Sequence, residues 1–304
     1  MNPGNNTPRV LVVIAHHETL NDTLEALDSL AKVRGIKLKT VVMDNGSREQ
    51  SEAAVIQRRF PVVTVIRSET NLGSAAGINS AVRFGLAHFD ANYVLFLDSD
   101  VVVDPSFMAS MLSTSMRLDS GITGAQTLSY KNKRESRGLG GRIIEFLGIT
   151  LVVGASKDYV SSGHTSMELE WVPGTAMLVR RDVINKVGLL NASITGWEDI
   201  EYCLRARMSG FKVICEPRSL VWHKGAMTRR NKSRVRAKSE PVTGNDIRRY
   251  AEFFRTISSH PHISYITATL IGYPLSVLGH LMERDKSLRL YYHHRFLRTI
   301  GFPV

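Results

Sequence analysis

The stretch that decides the fold is Tyr93–Asp100, YVLFLDSD. Tyr93 to Leu97 is an uninterrupted apolar run, and it stops abruptly at Asp98-Ser99-Asp100. A short run with no polar alternation fits a strand covered on both faces, which is the usual state of strands in a parallel sheet packed between helices. Ligands of such sheets bind beyond the carboxyl ends of the strands, so two carboxylates placed there mark a candidate site on geometry alone.

The sequence on either side fits the same architecture. Upstream, Arg9–Ala15 (RVLVVIA) reads as a buried strand. Leu20–Val33 has the apolar spacing of a helix. Lys37–Met43 is a second strand ending in the turn cluster Asp44-Asn45-Gly46-Ser47. Val62–Ile66 is a third strand and Ser74–His88 a helix. Downstream, Pro105 opens a helix, Gly121–Leu128 is a strand, and the polar, basic, Gly-rich Tyr130–Arg142 reads as a mobile loop. Glu168–Arg181 holds a strand with a Pro173-Gly174 break. Asp199–Ser209 is a helix stopped by Gly210, and Lys212–Cys215 and Leu220–His223 are short strands. The expected fold class is α/β, a mostly parallel sheet flanked by helices. It spans residues 1–225 as one domain and is followed by a basic helical C-terminal extension, 226–304.

Composition narrows the classes. At 43% hydrophobic and 22% charged residues over 304 positions, the chain has the makings of a real core, which excludes a wholly disordered or collagen-like protein. Two cysteines exclude a disulfide scaffold. Met1–Pro8 is polar with no apolar run like that of a secretory signal, so an intracellular protein with reduced core thiols at Cys203 and Cys215 is expected.

The net charge of +11 is uneven: residues 1–223 carry 24 basic and 23 acidic side chains, residues 224–304 carry 15 and 5. A basic tail on a neutral body calls for an anionic partner, a membrane surface or nucleic acid. Ile263–Met282 has no Asp, Glu, Lys or Arg but contains Gly272, Pro274 and Gly279. It reads as a packed or interfacial helix in preference to a spanning one. Arg284, Lys286, Arg289, Arg295 and Arg298 then interleave with Leu288, Leu290, Tyr291, Phe296 and Leu297, the pattern of an amphipathic membrane-surface helix, with no nucleic-acid motif beside it. The expected location is cytoplasmic, peripheral on the inner face of the cell membrane.

Several residues carry chemistry. Asp98 and Asp100 repel each other unless a cation lies between them. A divalent ion shared with a nucleotide diphosphate would do this, since hard cations take carboxylate and phosphate oxygens together; a solvated turn is the bland alternative. Trp197-Glu198-Asp199 opens a helix, where acids favour the macrodipole, and Asp199 can be both a cap and a catalyst. His223, ending the strand SLVWH, is a plausible third metal ligand. Asn71-Leu72-Gly73 before a helix matches neither GxGxxG nor a Walker A loop, so neither a dinucleotide nor an ATP P-loop reading is supported.

Taken in order, DNGS (44–47), NLGSAAGIN (71–79), LDSD (97–100), PGTAMLVRR (173–181), WEDIEYCLRARMSGFKV (197–213) and His223 resemble the family 2 glycosyltransferases of GT-A fold, most nearly rhamnosyltransferase-like members that build cell-surface polysaccharides. The resemblance covers roughly residues 9–225. It implies that Asp44 contacts the nucleotide base, that Asn71 and Gly73 line the nucleotide pocket, and that Asp98 faces ribose or metal. It also implies that Asp100 and His223 hold Mn²⁺ or Mg²⁺, that Asp199 beside Glu198 is the catalytic base, and that Gly174, Thr175 and Trp197 border the acceptor. The donor would be a UDP-, dTDP- or GDP-linked sugar and the acceptor a glycan or lipid-linked hydroxyl. Where the family commonly has Tyr-Asn after its first strand, this chain has His16-His17-Glu18.

Residues 224–238 carry seven basic side chains and no acid directly after His223. This arm is placed to close over a bound diphosphate, with Arg229 and Arg230 as the phosphate contacts. Two rival readings remain. A sugar nucleotidyltransferase would usually carry a Gly-rich basic loop near the first strand, and Ile14–Thr19 has none. A non-catalytic sugar-nucleotide or membrane-binding module would have no need of an intact DSD, Asp199 and His223.

Overall fold

The computed structural model describes residues 8–144, 149–158, 165–194 and 196–225. The chain divides into two compact units, residues 1–142 with 152–239, and residues 143–151 with 240–304. Nearly all described residues belong to the first. Arg229, Arg230, the apolar stretch 263–282 and the rest of the expected C-terminal extension lie outside the described residues.

The first half of the chain alternates as expected: β1 (Val10–His16), α1 (Leu20–Leu30), β2 (Leu38–Asn45), α2 (Ser51–Arg59), β3 (Thr64–Ser68), α3 (Ser74–His88) and β4 (Tyr93–Asp98). Strands β3, β2, β1 and β4 lie side by side and parallel. Val12, Val13 and Ile14 of β1 and Val94 and Leu95 of β4 are fully buried, which is why these two strands show no alternation. Helix α2 escaped the sequence reading because it is polar and buries only Ile56.

After Asp98 the chain makes β5 (Val101–Val103), α4 (Phe107–Leu118), β6 (Ser120–Ser129), β7 (Ser136–Ile144), β8 (Ile149–Ser156), β9 (Met167–Glu168), β10 (Ala176–Arg180), α5 (Arg181–Val187), α6 (Glu198–Met208) and β11 (Lys212–His223). The sheet continues from β4 through β10, β6 and β11 to β5. Here it is mixed: β10 runs antiparallel to both β4 and β6, and β5 antiparallel to β11. The parallel arrangement read from the sequence therefore holds for the first four strands and again for β6 with β11.

Two features differ from the sequence reading. The Gly-rich stretch 130–142 is not a loop throughout, since β7 pairs antiparallel with β6. Its glycines serve close approach: a Cβ on Gly140 would lie 2.2 Å from the Trp171 carbonyl oxygen, and Gly140 holds φ +129. The two short strands 212–215 and 220–223 are one strand, β11, with an irregularity between Glu216 and Leu220. Buried Glu216 stabilises that break by accepting from Arg218, Thr114 and Ser166, which hold its carboxyl down at about 2 against the opposing effect of burial. Cys203 and Cys215 are free and buried in the core, and burial pushes both thiols up.

Candidate active site

Beyond the carboxyl ends of β1, β2 and β4, the chain folds back on itself three times, and each turn brings a site residue into place. The first is the Asp44–Ser47 turn. Asp44 is fully buried; its Oδ1 accepts from the Ser47 backbone N–H at 3.0 Å, and its Oδ2 is paired with Arg67. Arg67 also donates to the Ser47 carbonyl at 2.7 Å. The pairing follows from the sheet, since Asp44 and Arg67 are register partners of β2 and β3.

Asn45 then ties this turn to the loop before α3. Its side chain donates to Asn71 Oδ1 at 3.2 Å and to the Gly73 carbonyl at 3.0 Å, and accepts from the Leu72 N–H at 3.0 Å. Gly46 sits between them at φ +73, where a Cβ would stand 2.4 Å from the Thr70 carbonyl carbon. Asn71 and Gly73 themselves are exposed on the rim, Gly73 immediately before the first residue of α3. His16, where the sequence departs from the family pattern, is fully buried, with its ring nitrogens against Thr23 at 2.8 Å and Glu52 at 2.7 Å. Burial lowers its pKa, outweighing the pull of Glu52. Through these contacts it ties the end of β1 to α1 and α2.

The second turn is Asp98-Ser99-Asp100, between β4 and β5. Because β5 pairs with β11, with Val101 opposite His223, the histidine is delivered beside the carboxylates. His223 Nε2 lies 3.1 Å from Asp100 Oδ1 and 3.8 Å from Asp98 Oδ2. One ligand atom from each of the three lies within 4.8 Å of the others. Burial works against the imidazolium, but the Asp100 hydrogen bond and the charges of Asp98 and Asp100 outweigh it, so the histidine's pKa is raised. Two carboxylates and one imidazole suit Mn²⁺ or Mg²⁺ in chemistry as well as in spacing.

The chain just past His223 is also fixed on this cluster. The Lys224 N–H donates to the Asp100 carbonyl at 3.1 Å, and the Gly225 N–H to Asp100 Oδ2 at 2.9 Å. Lys224 Nζ is held by Asp22 Oδ1 at 2.6 Å and Glu25 Oε2 at 2.5 Å on α1.

The third turn carries the acid pair. Ala176 of β10 is the partner of Leu97, so Thr175 stands beside Asp98, and the Asp98 N–H donates to the Thr175 carbonyl at 3.1 Å. Gly174, next in line, donates its N–H to Asp199 Oδ2 at 2.8 Å, while the Ile200 N–H donates to Asp199 Oδ1 at 2.8 Å. Gly174 and Asp199 touch: a Cβ on the glycine would lie 3.1 Å from the Asp199 Cβ. Burial pushes the Asp199 carboxyl up to about 6 against the pull of the two N–H donors, with the negative charges of Glu198 and Asp98 adding to the rise.

Trp197 is the N-cap of α6, and Glu198 turns aside to accept from the Gly196 N–H at 2.5 Å. The segment before α6 is anchored by Asn79 of α3, which both donates to the Leu190 carbonyl at 2.8 Å and accepts from the Leu190 N–H at 3.1 Å. Arg205 clamps the carbonyls of Val187 and Leu189 at 2.8 Å each.

The structure thus gathers Asp98, Asp100, His223, Thr175, Gly174 and Asp199 along one edge, with Asp44, Asn71 and Gly73 around the β2 end. Sequence reasoning missed Arg67, Asn45 and Lys224. Arg67 and Lys224 find their partners through sheet register and a contact to α1, neither of which leaves a local signal. Asn45 lay within the quoted DNGS motif and could have been singled out. Among the described residues, no helix is long and apolar enough to cross a membrane.

Comparison with known proteins agrees with the fold. The family model described as glycosyltransferase like family 2 matches residues 8–240. The chain is 20% identical over 222 residues to the galactofuranosyltransferase GlfT2 of Mycolicibacterium smegmatis, an alignment covering 66% of this chain and 34% of that protein. The chain thus spans about a third of that relative's length, and about a quarter of another, from Sinorhizobium fredii.

Among solved structures, GalNAc-T7 with UDP, GalNAc and Mn²⁺ superposes with a TM-score of 0.61 at 17% identity, over 82% of this chain and 48% of that one. S. aureus TarS 1-349 with UDP-GlcNAc superposes at 0.56 and 16% identity, over 82% and 65%. The fold is therefore that of the GT-A glycosyltransferases, and the chain belongs to the glycosyltransferase-like family 2.

Proposed function

We propose that the chain is a metal-dependent, inverting glycosyltransferase that moves a sugar from a nucleotide-diphosphate donor to a hydroxyl of a glycan or lipid-linked acceptor. The observation that carries this reading is the link from the Asp98–Asp100–His223 cluster, through Thr175 and Gly174, to an Asp199 carboxyl with a pKa of about 6. A cation-binding group and a carboxyl poised for proton transfer near neutral pH on one edge are what such a transfer needs.

In this reading Asp98, Asp100 and His223 hold Mn²⁺ or Mg²⁺, which supplies charge neutralisation for the departing diphosphate. Asp199 accepts the acceptor hydroxyl's proton as that oxygen forms its bond to the anomeric carbon. The bond from that carbon to the diphosphate oxygen breaks on the opposite side, and the nucleoside diphosphate leaves with the electron pair. One displacement inverts the anomeric centre. The two backbone N–H groups on Asp199 hold its orientation, and Glu198, turned toward Gly196, is the lesser member of the catalytic pair, its charge adding to the rise of the Asp199 pKa. The Asp44–Ser47 turn with Asn71 and Gly73 forms the wall for base and ribose, and Trp197 with Gly174 and Thr175 borders the acceptor. The likeness to rhamnosyltransferase-like members supports a hexosyl group as the one transferred. The basic tail supports attachment to an anionic membrane face, where a lipid-linked acceptor would be met.

The test is a thermal-shift screen of the full chain with UDP, dTDP, GDP and their sugar conjugates, each with and without Mn²⁺. A ligand that binds only the folded state raises the melting temperature by mass action. A metal-dependent shift with one of the three bases is expected. No shift with any diphosphate, with or without metal, overturns the reading.

A further inference from the structure

Arg137 was not among the candidate residues, because its stretch reads as a loop. In the structure it lies on β7, exposed, and its guanidinium comes up to Gly225, the second residue past His223. The distances fix the meeting point: a Cβ placed on Gly225 would stand 2.9 Å from Arg137 Nη1 and 3.4 Å from His223 Cε1. Gly225 is the residue whose N–H donates to Asp100 Oδ2 at 2.9 Å.

Charge balance gives this placement a purpose. Among the described residues, Lys224 and Arg137 are both cations that stand against the cluster. Lys224 is neutralised by Asp22 and Glu25. Lys133, a little further out, lies over the rings of Tyr130 at 3.8 Å and Trp222 at 5.4 Å. No described carboxylate forms a salt bridge with Arg137. Among the described residues, the two carboxylates would balance a divalent ion on Asp98 and Asp100, and the Arg137 guanidinium would stand beside the cluster as a further positive charge. A planar guanidinium with that charge suits a phosphate, which it can grip through two N–H groups at once.

We infer that Arg137 binds the diphosphate of the nucleotide donor, from the β7 side of the cluster. The inference rests on the proposed transferase reading and adds to it a residue that distinguishes a diphosphate from a monophosphate.

The experiment is calorimetric titration of the full-length protein in Mn²⁺ with UDP, dTDP and GDP, and with the three matching monophosphates. Wild type is compared with Arg137→Ala and Arg137→Lys. Wild type is expected to prefer one diphosphate clearly over its monophosphate. Arg137→Ala should weaken that diphosphate roughly 10- to 100-fold, the usual worth of a charge-assisted contact, and change the monophosphate by less than about twofold. Arg137→Lys should recover part of the loss, since a point charge replaces the fork. The variants should melt within about 2 °C of wild type, because an exposed side chain is removed.

If Arg137→Ala keeps wild-type affinity for the diphosphate, or weakens both nucleotides equally, the inference is overturned while the transferase reading stands. If wild type itself binds no diphosphate, the transferase reading fails first.

Discussion

Replacing Asp199 by Asn should slow the enzyme and yet stabilise it at alkaline pH relative to acid. Burial raises the Asp199 pKa from 3.8 to about 6, so the folded state holds this proton more tightly than the unfolded chain does. The stabilisation from that preference is complete below about pH 4 and is lost as pH rises through about 6. Over the whole interval the shift of about two units corresponds to roughly 3 kcal/mol at most, at about 1.4 kcal/mol per unit.

Asn does not titrate, so the difference between variant and wild type follows this curve directly. Asn also presents one oxygen where the carboxylate accepts from both Gly174 and Ile200. One of those bonds is lost at every pH, at a cost of about 1 kcal/mol. The two contributions separate by pH. Between pH 5 and pH 8 the variant should gain about 1.4 kcal/mol on wild type, measured by urea unfolding at both values with identical salt.

In steady-state assays kcat/KM of wild type should fall below an acidic limb near pH 6. The variant should lose about two to four orders of magnitude in turnover while binding donor normally. A variant whose stability relative to wild type is the same at pH 5 and pH 8 would refute the argument that this carboxyl is held high. A variant with near-wild-type turnover would refute its role as base.

Further outcomes follow from the same geometry. Asp100→Asn should abolish the metal-dependent part of nucleotide affinity, read by titration with and without chelator; full wild-type activity in excess chelator would sink the metal assignment. Gly174→Ala places a methyl 3.1 Å from the Asp199 Cβ and should lower turnover roughly ten- to hundredfold with donor affinity kept, since small misplacements of a catalytic group are costly. The tail from residue 224 carries 15 basic and 5 acidic side chains, so the full chain should float with anionic vesicles and bind zwitterionic ones far less. A chain ending at Ser259 should lose most of this binding, and flotation of neither vesicle type with the full chain would count against a membrane role.

The sequence by itself determined the parts that local pattern can carry. The apolar runs at 10–15, 41–43 and 93–97 read as covered strands, because no alternation relieves them. The DSD, WED and terminal His stood out because strand ends and helix starts are where charge collects. The Asp98–Asp100 pair was legible from its repulsion as a candidate cation site, with a solvated turn as the bland alternative. Tertiary structure decided what depends on neighbours distant in sequence. Only the antiparallel β5–β11 register places His223 beside Asp100, and only the insertion of β10 against β4 puts Gly174 on Asp199. Asp44 meets Arg67 across β2 and β3, and Arg137 reaches Gly225 from a strand whose glycines, read one by one, signal a loop. The physical reason is the same in each case: hydrophobic periodicity reports the face a residue turns toward the core, whereas strand register and the pKa of a buried carboxyl report which chain segment lies against it.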